Sequence, residues 1–531
     1  MRWTSAAAMG AAAALAGAAF QVAAASADEK VVTVVRVNDT ERYDVHKTTT
    51  RSTADIAFMI GDTLVTLDYD MKTIQPGLAE SWEISTDGLT YTFKIRDGVT
   101  FCSGKKMTAH DVAASFNRWL HPDTGGVMKA KAGKVDKITA LDDSTLEYSL
   151  TRPHSELLLQ MTQHPFTVIN AEQAKEHGAD YGTKGVDGTG PFCLESWEPR
   201  NETVLVKHEG YNWGSPQFSY QSPQVDKIIW KIGPEESTRV ASLQTGQIDL
   251  LQHVPYWAFE QLLADNNLHS SKAEAYFWTA YIGFKISRPF MQDIRVRKAI
   301  NLAVDAKAIA DTVYFGQAES ANTYMKPTVI DFDTGIKTDQ FDYNPEEAKK
   351  LLDEAGWMID GDVRKKDGKP LELVAYAFTL PIPRQTIEAI QGDLRKVGVD
   401  LKIELFDPTV IWGKLKTPDF DLYTMTYPYM SAADGIAIYW PSVNRPAPNR
   451  MDWNDPEETD VWLANAYAAL SAEERREWVS KILHKIHDAT VWIPLAHEPL
   501  YIFANSRKLK PVRAHGIYGA GLYKGLEIAY K

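Results

Sequence analysis

Only two cysteines, Cys102 and Cys193, occur in 531 residues. That excludes a disulfide-dense mini-scaffold and a cysteine-rich metal or cluster protein. Long apolar runs are also missing. Beyond the first 27 residues, no stretch approaches the ~20 apolar residues that a membrane-spanning helix needs. Basic residues are the minority charge, 57 against 70 acidic ones, for a formal net charge of −13. Nucleic acid and anionic membrane surfaces are therefore poor partners. No Gly-x-Ser-x-Gly, His-Glu-x-x-His or Gly-x-x-x-x-Gly-Lys motif occurs, so no signature of hydrolytic or phosphate chemistry is present. There is no internal repeat and no low-complexity tract after residue 27.

The length implies two or three domains. Met1–Ala27 reads as a secretory signal peptide: Arg2, an Ala-rich apolar run, and Ala25-Ser26-Ala27 as a small-x-small cleavage site. Cleavage near Ala27 would remove Arg2 and leave a net charge one unit more negative. Export would carry Cys102 and Cys193 into an oxidising compartment. There they would either form one disulfide across a long loop or remain two buried thiols.

Periodicity indicates a mixed α/β chain. Val31–Val35 reads as a strand buried on both faces, and Asp39–Thr53 as polar loop. Ser81–Arg96 is two alternating runs around Asp87-Gly88, a hairpin signal. Thr108 with Asp111 forms a capping-box variant ahead of a helix whose apolar face is Val112, Phe116, Trp119 and Leu120. In the middle of the chain, Ala275–Asp305 combines an aromatic strand, a break at Pro289 and a helix with Val296, Ala299, Ile300 and Ala303 inside. Arg295, Arg297 and Lys298 are expected outside that face. Such a stretch fits a passage between two packed units. Further on, Asn344-Pro345-Glu346-Glu347 caps a helix, and Leu371–Leu405 reads as a βαβ unit with a sheet of its own.

Several segments together resemble one family. They are Leu78-Ala79-Glu80-Ser81-Trp82-Glu83 with its Asp87-Gly88 hairpin, Arg96-Asp97-Gly98-Val99-Thr100-Phe101 with Thr108–Val112, and Gly188-Thr189-Gly190-Pro191-Phe192. Tyr211-Asn212-Trp213, Gly246–Leu250, Val296–Ile300 and Asn344–Leu352 continue the set over nearly the whole chain. The resemblance is to the large extracytoplasmic solute-binding receptors of ABC importers, the peptide, nickel and oligosaccharide-type cluster. It implies an α/β, two-lobed periplasmic-binding-protein fold with central mixed sheets and a ligand cleft between lobes. After a signal peptide at 1–27, lobe one would comprise 28–61, an extra subdomain at 62–186, 187–287 and a C-terminal return at 500–531. Lobe two would be 288–499. The receptor would be a periplasmic monomer, neither an enzyme nor membrane-embedded, with no cofactor. Its partners would be a peptide-like or other bulky solute and the importer permease. An oligosaccharide, opine or metal-chelate receptor, a chaperone-like binder and a secreted hydrolase are the alternatives.

Relatives that bind peptides hold the free amine with an Asp, in a segment that corresponds to Tyr423–Gly435. If Asp434 matches the later acid of that pattern, Ser431 occupies the amine-binding position. A shifted alignment would give the role to Asp434. Trp278, Thr279, Trp412, Tyr427, Tyr429, Tyr439 and Trp440 fall in segments that the resemblance places near the cleft. Each of the six aromatics is either ligand-binding or ordinary core, since flat aromatic faces serve both. Arg384 either faces an anionic solute or stays solvated at a helix start, and His46 lies where relatives often carry a His. His484 and His487 are three apart on a helix but lack a third ligand. A surface pair is expected, and no metal.

Overall fold

The computed structural model describes residues 29–531, so the expected signal segment 1–27 lies outside it. Val31–Arg36 is the middle strand of a seven-stranded mixed sheet. Its neighbours are 227–232 and 250–252, both parallel to it. Strands 202–207 and 192–198 extend one side, while 501–505 and 268–272 extend the other. Asp39–Thr53, expected as loop, is helical from Arg51: a helix runs over Arg51–Ile60 with residues 53–60 all buried. The polar look of Thr48–Thr53 misled because Thr40, Thr48, Thr50 and Thr53 bond one another in a small buried hydroxyl cluster.

A second, six-stranded sheet has the order 319–320, 492–497, 278–284, 422–428, 372–378, 400–406. Strands 372–378 and 400–406 are parallel and joined by helix Pro381–Lys396, which is the expected βαβ unit. A third, antiparallel sheet orders 79–84, 90–95, 145–150 and 135–140. Helix Ala109–Leu120 packs on it through Val112, Phe116 and Trp119. The Thr108 amide donates to Asp111 Oδ2 at 2.9 Å, which closes the capping box. Asp87-Gly88 turns the hairpin with Gly88 at φ +68°, a conformation that favours glycine.

The two cysteines are bonded: Cys102 beside the antiparallel sheet joins Cys193 in strand 192–198, across 91 residues. In the chain-entropy model a loop of that size stabilises the fold by about 4–5 kcal/mol. The bond pins the antiparallel unit to the seven-stranded sheet.

The chain passes from the first large sheet to the second at 273–277 and returns at 498–500, between strands 492–497 and 501–505. The two passages lie side by side, Ala273 donating to Leu500 O at 2.9 Å and Glu498 to Trp278 O at 3.0 Å. The first passage therefore precedes the expected division at 287/288. The aromatic strand 278–284 is the centre of the second sheet, flanked by 422–428 and 492–497, because its β-branched and aromatic side chains fill that core. A second difference concerns Arg297, expected outside its helix. It is 7 % exposed and donates to Ala489 O and Thr490 O, carbonyls just past the end of helix Ala472–Asp488. Among the described residues, no helix is long and apolar enough to cross a membrane.

Candidate solute cavity

Where the antiparallel unit, the first passage and the second sheet meet, they enclose a cavity of about 1110 Å³. The antiparallel unit contributes Met128–Lys131, Gly133, Lys134, Arg152–His154, Gln160 and Gln163. Tyr276 and Phe277 on the passage form a second wall. The third wall is Pro428–Met430 at the end of strand 422–428, Asp434 and Ala437–Tyr439 on the following helix, and Tyr467. Gly516 and Tyr518, from the C-terminal segment, complete it. Gly516 must be glycine here, since a β-carbon would sit 1.9 Å from Ala275 O.

The antiparallel unit and the second sheet's domain touch across the cavity. The Ser155 amide donates to Tyr467 O at 2.7 Å, and Arg152 Nη2 to Ala464 O at 3.0 Å. Arg475 pairs with Asp331 and donates to Ser155 O. These contacts tie the two sides together beside the space.

Ser431 is fully buried and caps helix Ala432–Tyr439, its Oγ accepting from the Asp434 amide at 2.9 Å. A seryl N-cap satisfies an otherwise unpaired helix-start donor, which is the role the structure gives this residue. Asp434 lines the cavity, and both oxygens of its carboxylate accept hydrogen bonds. Oδ1 accepts from Lys131 Nζ at 2.7 Å and Gln160 Nε2 at 3.1 Å, and Oδ2 from the Met430 amide at 3.2 Å. Beneath it lies Glu156, 2 % exposed, with one oxygen unpartnered among the described residues. Burial and the Asp434 charge push the Glu156 carboxyl up to about 7. His154, on the same wall, is pushed down to about 4 by burial and by nearby Lys131.

Of the remaining expected residues, Tyr429 and Tyr439 line the cavity. Tyr429 OH bonds Thr279 Oγ1 at 2.8 Å and accepts from the Lys326 amide at 2.6 Å. Thr279 itself is fully buried, bonded also to His497 Nδ1 at 3.0 Å, and does not line the space. Trp278 stacks on Tyr276 at 5.9 Å and lies under the Arg51 guanidinium, one layer behind the wall. Tyr427 and Trp440 are fully buried in a core cluster with Tyr281, Tyr324 and Trp492. Trp412 is exposed beside Phe378 and Arg450, away from the cavity. Arg384 is solvated and pairs with Glu388. His46 is buried against Arg118 Nη1 at 2.8 Å, and burial takes it down to about 3. The His484–His487 pair divides. His484 faces Asp333, whereas His487 is buried on Tyr324, its Nε2 accepting from the Tyr324 amide, so it is no surface residue. Cys102, Cys193 and His208 cluster, but the disulfide removes both thiolates a metal would need.

Sequence reasoning missed Lys131, Gln160, Tyr276, Phe277, Tyr467 and Tyr518. The two aromatics directly before Trp278 carried the same signal as Trp278 itself. Lys131, within Lys129-Ala130-Lys131-Ala132-Gly133, carried none.

Comparison with known proteins fits this architecture. The family model for bacterial extracellular solute-binding proteins, family 5, matches residues 73–445. The nickel-binding periplasmic protein of Escherichia coli K12 is 28% identical over 450 residues, covering 83% of this chain and 84% of its own. The dipeptide-binding protein of the same organism is 27% identical over 416 residues, with 74% of each chain covered. The crystal structure of NikA from Brucella suis in complex with Fe(III)-EDTA superposes with a TM-score of 0.82 at 24% identity, over 95% of this chain and all of that one. That match shows the two-lobed fold. The chain belongs to the bacterial extracellular solute-binding proteins of family 5.

Proposed function

We propose that the protein is an exported receptor that traps one bulky solute between its lobes and presents the closed form to the permease of an ABC importer. The cavity carries this reading. At about 1110 Å³, it lies just above the usual range for small-molecule sites, and four separate parts of the chain wall it. A solute that bridges these parts stabilises the closed arrangement over the open one, which is the population shift a permease can read. The nickel-binding and dipeptide-binding relatives support a solute in the size range of a short peptide or a chelate. In this reading residues 1–27 are a signal peptide cleaved near Ala27, the mature chain is a periplasmic monomer, and 62–186 is an extra subdomain that enlarges the cavity. The cavity holds solute without converting it, since its wall has no nucleophile with an adjacent base.

Native mass spectrometry of the purified full chain tests this directly. One small solute should be retained, and adding it back to stripped protein should stabilise the fold by about 2.7 kcal/mol at a hundredfold excess over Kd. No retained solute, together with no thermal shift across peptides, oligosaccharides, opines and nickel chelates, would overturn the proposal.

A further inference from the structure

Five charged side chains line the cavity: Lys129, Lys131, Lys134, Arg152 and Asp434. Four cations against one anion make a surplus of three positive charges, in a chain whose formal net charge is −13. The single anion is already neutralised. Lys131 Nζ sits 2.7 Å from Asp434 Oδ1, with both side chains largely removed from water, and Gln160 and the Met430 amide donate to the same carboxylate. Glu156, with one oxygen unpartnered among the described residues, is buried beneath Asp434 and does not line the space. Among the lining residues an incoming ammonium meets only the Asp434 carboxylate, and to reach it would have to displace Lys131. Among the described residues, no carboxylate pairs with Lys129, Lys134 or Arg152. Lys129 donates to Leu120 O and His121 O, and Arg152 to Ala464 O, which leaves their charge uncompensated. Lys134 and Arg152 are exposed at the mouth. A cleft with one sign of charge and low-dielectric walls concentrates the opposite sign.

We infer that the solute is an anion carrying at least one carboxylate or equivalent acidic group and no free ammonium at the Asp434 end, with Lys131 acting as a built-in replacement for that ammonium. This rests on the receptor reading above and narrows it. Lys131, on the antiparallel unit, reaches Asp434 on the second sheet's domain, so the cation slot is filled by the same contact that helps close the lobes. The uncompensated Lys134 and Arg152 then meet the solute's acidic group, and Tyr276, Phe277, Tyr429 and Tyr439 supply apolar wall for its body.

The test uses one scaffold with altered ends: tetra-alanine with free ends, its N-acetyl form and its C-amide. Thermal shift and titration calorimetry are run on the stripped full chain. Expected is the order N-acetyl, then free, then amide, with at least tenfold between the first and last. Affinity for the N-acetyl form should weaken with added salt and fall about tenfold in Lys134→Ala with Arg152→Ala. Lys131→Ala, and the milder Lys131→Gln should the first fold poorly, should free Asp434 and move preference towards the free-amine peptide. Equal or tighter binding of the free or amidated peptide by the unaltered protein overturns the inference. So does a co-purified solute that is neutral or cationic. If no tetra-alanine binds but the co-purified solute is anionic, the inference stands for a non-peptide anion. The absence of any solute, retained or added, would instead count against the receptor reading itself.

Discussion

Two groups of aromatic side chains lie almost touching in the second sheet's domain and have opposite surroundings. Tyr427, Trp440, Trp492, Tyr281 and Tyr324 form a sealed stack, with Trp440 and Trp492 centroids 4.2 Å apart. Tyr429, Tyr439 and Tyr467, joined by Tyr276 and Phe277, face the cavity. Tyr439 and Trp440 are neighbours in the chain, yet the ~100° turn per helical residue sends one towards the cavity and the other into the core. Tyr427, one residue before its strand ends, lies inside the sheet and donates to Tyr324 O, while Tyr429 follows the strand's end and turns to the wall. Aromatic density marks this neighbourhood. Which ring is structural and which touches solute depends on the last turn of backbone.

That contrast breaks first under acid, because each group of rings has a buried neutral imidazole beside it. His487, stacked on Tyr324, and His154, packed on Tyr467 at 4.8 Å, are both pushed by burial from 6.5 down to about 4. His46, His164, His497 and His515 are lowered likewise by burial. Between about pH 4 and 6.5 the unfolded chain binds more protons at these sites than the folded one, so stability falls as pH drops through that window. Asp55, Glu156 and Glu498, raised by burial to about 6, 7 and 7, act the other way but are outnumbered. Urea melts at pH 6.5, 5.5 and 4.5 should show a progressive loss, and a flat profile would contradict the buried imidazoles.

The next effect separates the two groups. Trp440→Ala empties a fully buried site and should cost about 3–5 kcal/mol of stability, read from denaturant midpoints. Smaller, and of a different kind, is Tyr467→Ala. Solute binding should weaken about tenfold, or about 1.4 kcal/mol, with a stability loss well below that of Trp440→Ala. If Tyr467→Ala unfolded the protein as Trp440→Ala does, the division would dissolve. The smallest change is expected at Trp278, one layer behind the wall. Trp278→Ala should leave solute affinity within twofold by calorimetry, because Tyr276 stands between it and the cavity. A tenfold loss would move Trp278 into the wall.

Much of the fold was legible from local patterns. The Asp87-Gly88 hairpin, the Thr108/Asp111 capping box and the Asn344 cap depend on neighbours within a few residues, the βαβ unit on the periodicity of three consecutive segments, and the structure has each of them. Which sheet strand 278–284 joins was not legible, because the strand looks the same in either. Only its pairing with 422–428 and 492–497, far away in sequence, decides. Arg297 was misplaced for a related reason: helical periodicity cannot foresee that carbonyls 192 and 193 residues further along would take its guanidinium inside.

The candidate site divides in the same way. Sequence by itself determined the α/β class, the family resemblance and a concentration of aromatics around 276–278 and 427–440, because composition and short-range spacing are written in the chain. Tertiary structure alone decided that Asp434 faces a lysine 303 residues away, that Ser431 is a cap, and that Tyr429 lines a cavity while Thr279 supports it from behind. Charge pairing and burial are properties of distances in space, and those distances exist only once the two sheets and the antiparallel unit have packed together.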